Sequence, residues 1–101
     1  MEIIINKKLS KIFGNQRLLK SKFGNIANKI EVVMSVLKFV DNLGEVPNTP
    51  PTRRHKLSGN YKDCWAIDLD ANHRLIIMPT TIESDLENIK SIEIIDIVDY
   101  H

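Results

Sequence analysis

The chain of 101 residues is long enough for one buried core and too short for two. Its hydrophobic share of 43% and charged share of 27% exclude a disordered or fibrous protein, and its single cysteine excludes an internal disulfide. Net charge is only +1, but residues 1–62 hold twelve Lys/Arg against four Asp/Glu and residues 63–101 hold two against nine, so a half at +8 suited to attract phosphates precedes a half at −7.

Ile3-Ile4-Ile5 reads as a short buried strand. This triplet and Leu75-Ile76-Ile77-Met78 are the longest apolar runs, far below the length of a membrane span. Glu2 beside Met1, with Lys7 and Lys8 after the triplet, does not fit a secretory signal, so a cytoplasmic protein with no membrane partner is expected. Asn6 is placed to cap a short helix that carries Leu9, Ile12 and Phe13 on one face and stops at Gly14. A second short segment holds Leu19 and Phe23 one turn apart and stops at Gly24. Ile26, Ile30, Val33, Leu37 and Val40 then follow steps of four and three, the stripe of an amphipathic helix that Gly44 ends and Pro47 keeps from resuming.

Asn48-Thr49-Pro50-Pro51 is a loop. Trp65, Ile67 and Leu69 alternate with Ala66, Asp68 and Asp70, which predicts a half-buried strand; Cys64 at its start reads as a small buried residue. Asp70-Ala71-Asn72 has turn chemistry, and His73 to Met78 forms the second arm of an antiparallel hairpin. Thr80 to Ser91 is acidic loop, and Ile92 to Val98 is a last, isoleucine-rich strand. The expected fold is α+β, with an N-terminal strand and helices packed on one face of a small antiparallel sheet.

The reactive groups gather in three places: Arg53-Arg54-His55-Lys56-Leu57-Ser58-Gly59, Asn72-His73-Arg74, and Asp99-Tyr100-His101. All lie near strand ends, where a sheet could bring them together. The three histidines lack zinc spacing, so neither a metal nor any other cofactor is expected.

His55-Lys56-Leu57-Ser58-Gly59, then Trp65-Ala66-Ile67, then Ala71-Asn72-His73-Arg74-Leu75, then Asp99-Tyr100-His101 resembles, in order and spacing, the HigB "plasmid maintenance killer" toxins of the RelE/ParE superfamily. The likeness is close over about half the chain; the N-terminal strand and helices match in layout only. It implies one RelE/ParE-like toxin domain over residues 1–101 and a metal-free endoribonuclease that cuts messenger RNA on the ribosome. In such cleavage a 2′-hydroxyl attacks the adjacent phosphate. That asks for a base, an acid and a cation for the extra phosphate charge. His55 and His101 suit the first two, since a histidine pKa near ~6.5 permits either role, and Arg74 suits the third. Tyr100 can orient a phosphate or stack on a base, and Asp99 can hold a histidine tautomer or act as a base. Family members often carry a basic residue at the position of Ser58, so one phosphate contact the resemblance implies is absent, and Arg53, Arg54 and Lys56 beside Ser58 are expected to compensate in binding phosphate. The implied partners are messenger RNA, the ribosome and a helix-turn-helix antitoxin. The rival reading is a non-catalytic binding module on the same fold, either a poison of a protein target or a degenerate toxin acting only in the antitoxin complex.

Overall fold

A computed structural model describes residues 1–99 of the chain; Tyr100 and His101 lie outside the described residues. The elements run β1 (Glu2–Ile5), α1 (Lys7–Phe13), α2 (Gln16–Phe23), α3 (Ala27–Phe39), β2 (His55–Lys56), β3 (Trp65–Asp68), β4 (His73–Pro79) and β5 (Ser91–Asp99). They form one five-stranded sheet of order β1-β5-β4-β3-β2. The class is the expected α+β, but the sheet is mixed: β1 pairs with β5 in parallel, while the other three pairings are antiparallel. Strand patterning reports burial and not direction. The parallel pair is closed only after the whole helical layer and the β2–β5 meander, a long connection that no local signal announces.

Asparagines start the first two helices, Asn6 as the sequence predicts and Asn15 in the same way. Asn6 Oδ1 accepts from the Leu9 N–H at 3.0 Å, and Asn15 Oδ1 from the Leu18 N–H at 3.1 Å. Gly24 ends α2 with φ +57°, a conformation open to glycine at little cost. α3 buries Ala27, Ile30, Val33, Met34 and Leu37, but it stops before Val40, four residues short of Gly44. Val40 turns extended. The Met1 ammonium, positioned by β1, donates to the carbonyls of Leu37 (3.3 Å), Lys38 (3.2 Å) and Val40. A charged donor therefore satisfies the last carbonyls where a glycine cap was expected.

The helices cover one face of the sheet. Ile30, Leu37, Ile67, Leu75, Ile77, Ile92 and Ile94 meet there, all at 0% exposure. The opposite face carries a smaller cluster of Cys64, Ala66 and Ile76, edged by Leu57, Tyr61, Met78, Ile95 and Val98. β3 is thus buried on both faces at Ala66 and Ile67, and not half-buried by strict alternation. In β5 the alternation breaks. Ile77 pairs with Ile94 but Ile76 pairs with Asp96, so Ile95 is an extra residue, a β-bulge. The bulge lets Ile94 and Ile97 both face the helices while Ile95 and Val98 face the other way.

Asn6 ties the two layers together, because its Nδ2 also donates to the Ile95 carbonyl in the bulge at 2.8 Å. Asn6→Ala removes a helix cap and this second bond. A loss of about 2 kcal/mol is expected in chemical unfolding, with an unchanged denaturant slope. Asn6→Asp, which keeps only the cap, should lose about half of that.

Candidate active site on the open face of the sheet

The antiparallel register puts the candidate residues on defined faces, because residues directly opposite each other project to the same side. One row reads His55, Ala66, Ile76, Asp96; the next reads Asp68, Arg74, Val98. Ala66, Ile76 and Val98 belong to the cluster on the helix-free face. His55, Asp68 and Arg74 therefore share that face, with His55 and Arg74 two strands apart, roughly 10 Å.

His55 is half-buried on the edge strand, and its Nδ1 lies 2.7 Å from the Arg53 carbonyl. A carbonyl can only accept, so Nδ1 carries the proton and Nε2 is the basic nitrogen of the neutral ring. The backbone that supplies this carbonyl is unusual: Arg53 has φ 44°, in the left-handed region that costs a side-chain-bearing residue about 1–2 kcal/mol. Its N–H bonds the Thr49 carbonyl at 2.9 Å and its guanidinium grips Asp68, which offsets that cost.

Asp68 is the hub of the cluster. Arg53 holds both its oxygens, Nε to Oδ2 at 2.7 Å and Nη2 to Oδ1 at 3.1 Å, and Arg74 Nε reaches Oδ1 at 2.8 Å. Hydrogen bonding and charge from Asp68 raise the pKa of Arg53. Arg74 is oriented further by its Nη1, which donates to the carbonyls of Asp70 (2.8 Å) and His73 (3.0 Å). Arg74 thus meets the Asp68 carboxylate, while Asp70 offers it a carbonyl. A carboxylate set between Ile67 and Leu69, directly after Trp65-Ala66-Ile67, was the signal that could have found Asp68.

The other expected phosphate contacts lie elsewhere. Arg54 and Lys56 alternate with Arg53 and His55, and they flank Trp65 on the helix side, at 5.3 and 5.9 Å from its ring centroid. Arg54 Nε also donates to the Val46 carbonyl at 2.9 Å, and burial lowers its pKa. Ser58 is exposed and opens a turn ending at Tyr61. Arg53 and Arg54, adjacent in sequence, thus serve opposite faces.

Asp99 sits opposite His73, its Oδ2 lying 3.7 Å from His73 Nε2, and the residue opposite Arg74 in β5 is Val98. The far side of the same ring meets Asp70, with Nδ1 2.9 Å from Oδ1. Burial pulls the Asp70 pKa up, but the His73 ring and the N–H groups of Asn72 and His73 more than offset it, leaving the carboxyl below its ordinary value. Tyr100 and His101 follow Asp99 outside the described residues.

Among the described residues no group of three or more His, Cys, Asp or Glu side chains is arranged to hold a metal ion. Cys64 is 6% exposed, as the sequence suggested, and burial, helped by Asp63 and opposed by Lys56, raises its thiol pKa. A raised thiol pKa means less thiolate at any pH below it. Native protein should therefore react with a disulfide reagent at pH 8 at least about tenfold more slowly than unfolded protein; equal rates would contradict the buried placement.

No family model matches the chain, and no curated protein matches it. Solved structures do share its fold. The YoeB/ParE toxin from Agrobacterium tumefaciens covers all of both chains at 14% identity with a TM-score of 0.60. YafQ from E. coli strain BL21(DE3) matches 97% of this chain and 91% of its own at 15% identity and 0.64. A YoeB-YefM complex from Staphylococcus aureus matches 100% of this chain and 97% of its own at 14% and 0.57.

Proposed function

We propose that the chain is the toxin of a bacterial type II toxin–antitoxin pair, a HigB-like endoribonuclease that cleaves messenger RNA on the ribosome without a metal. The observation that carries this reading is the helix-free sheet face, where His55, with its proton on Nδ1, shares a surface with Arg74 and Arg53. The ordered motifs that end in Asp99-Tyr100-His101, and a fold common to YoeB and YafQ structures, add to it.

The chemistry follows from the proton positions. A messenger RNA strand lies across the open face with its scissile phosphate against the arginines. His55 Nε2 takes the proton of the 2′-hydroxyl as the 2′-oxygen attacks phosphorus. The guanidiniums take up the charge gathering on the non-bridging oxygens. The bond to the 5′-oxygen breaks, His101 gives that oxygen a proton, and the upstream fragment keeps a 2′,3′-cyclic phosphate. Tyr100 orients the phosphate or stacks on the neighbouring base. Asp99 acts beside His73 at the end of β5, at the point where the chain passes to Tyr100 and His101.

The partner is a helix-turn-helix antitoxin, encoded next to the toxin, that neutralises it in the cytoplasm. Structures of DinJ-YafQ and of a YoeB-YefM toxin-antitoxin are complexes, which supports an antitoxin partner. Among the described residues no helix is long and apolar enough to cross a membrane.

Expression of the chain alone in bacteria tests the reading. Growth arrest with shortened messenger RNA, both reversed by co-expression of the neighbouring gene, is the expected result. Arrest with intact messages would replace the nuclease by the poison of a protein target, and folded protein without arrest would leave the degenerate toxin.

A further inference from the structure

The Asp68 carboxylate is held as an RNA phosphate would be held. Two guanidiniums converge on it with three contacts, 2.7, 2.8 and 3.1 Å, and both oxygens are engaged. Planar fork-to-oxyanion pairing is the geometry that arginine offers to carboxylate and phosphate alike. The carboxylate is largely enclosed, with 19% of its side chain exposed, and Arg74 is more so at 13%, while Arg53 is 42% exposed. The group's backbone is fixed in β3 opposite Arg74, and its N–H donates to Thr52 at 2.8 Å. The carboxylate therefore offsets one of the two guanidinium charges that converge on it.

We propose that Asp68 is a resident anion that occupies the phosphate-binding fork of Arg53 and Arg74, so that an RNA phosphate binds by displacing this carboxylate and Asp68 sets the site's affinity. This rests on the proposed nuclease reading for the identity of the ligand as RNA, while the anion fork itself stands on the geometry alone. An incoming phosphodiester meets a like charge at the fork until the carboxylate swings away. That weakens binding by a similar factor for every RNA, and it lowers occupancy least where other contacts already saturate the site. Asp68 is in this sense a specificity-determining residue: it penalises RNA presented without other contacts and leaves RNA positioned by a larger assembly less affected.

The test uses the full chain, wild type and Asp68→Asn, with a short RNA carrying 2′-deoxyribose at the scissile position so that it binds without being cut. Fluorescence anisotropy at low salt should show the Asp68→Asn protein binding about tenfold tighter or more, with a steeper salt dependence, because one more phosphate-facing positive charge is unmasked. Tighter binding should be matched by faster cleavage of free RNA, with a smaller gain on ribosome-bound message. Binding unchanged or weaker, in a variant that unfolds at the wild-type temperature, would overturn the proposal. Intact binding with cleavage lost would also overturn it and make Asp68 catalytic. Should Asp68→Asn fail to fold, the wild type decides. Inorganic phosphate should shift the Arg53 and Arg74 Nε–H resonances together, and resonances that stay fixed at saturating phosphate would refute the displaceable fork. Tighter binding with no cleavage by any form would leave the fork standing and remove the nuclease reading.

Discussion

His55→Ala is expected to slow RNA cleavage by a factor of about 10²–10⁴, the usual loss when a positioned general acid or base is removed, with little change in RNA affinity. The ring sits on the two-residue edge strand β2, half-buried, and its one described bond is to the carbonyl two residues earlier. Losing that bond should cost about 1 kcal/mol of stability or less, too little to unfold a domain whose core lies on the other side of the sheet. A further variant separates orientation from proton transfer. His55→Asn can still donate a side-chain N–H toward Arg53, but it has no basic nitrogen, so it should be as inactive as alanine. Activity restored by Asn would mean that His55 only props the loop.

Removal of Tyr100 and His101 should produce an equally large loss, about 10²–10⁴, with thermal unfolding nearly unchanged. Deleting chain ends is ordinarily harmless. Here β5 is held by β4 from Pro79–Ile92 to His73–Asp99 and by β1 along Ser91 to Ile94, and its fully buried Ile92 and Ile94 lie well before the cut. The strand pairing that holds β5 is complete before the cut, so unfolding should follow it, whereas cleavage loses the proposed proton donor. Combining the truncation with His55→Ala should cost much less than the sum of the two losses, as for groups that act as one unit. Wild-type cleavage by the truncated protein would remove Tyr100 and His101 from the active site while leaving His55 and Arg74 to be judged on their own.

The pattern of residues foretold the helical stripe of α3, the β3–β4 hairpin and the strand character of β5, since each rests on local periodicity. The bulge at Ile95 has no such signature, and its effect is large. Had β5 continued in even alternation from Ile92 and Ile94, Asp99 would have faced outward with Arg74; the extra residue turns it to the side of His73. Arg53 and Arg54, neighbours in the sequence, meet different partners. The left-handed backbone at Arg53, just before β2, sends its side chain to Asp68 while Arg54 lies over Trp65, and no local pattern announces that conformation. Asp68 itself was visible only as one of several strand carboxylates. Its importance comes from two arginines distant in sequence, 15 residues before it in a loop and six after it across a hairpin, which only the register unites.

The central claim, attack by the substrate's own 2′-hydroxyl assisted by side chains of the open face, is tested most directly by the chemistry of the cut ends. Messenger RNA cleaved by the purified protein on ribosomes should carry a 2′,3′-cyclic phosphate, or the 3′-phosphate derived from it, upstream of the cut and a 5′-hydroxyl downstream. The same ends should form on free RNA in EDTA if cleavage is detectable there. A 3′-hydroxyl facing a 5′-phosphate would mean that water is the nucleophile, and the roles given to His55, Arg74 and His101 would be wrong.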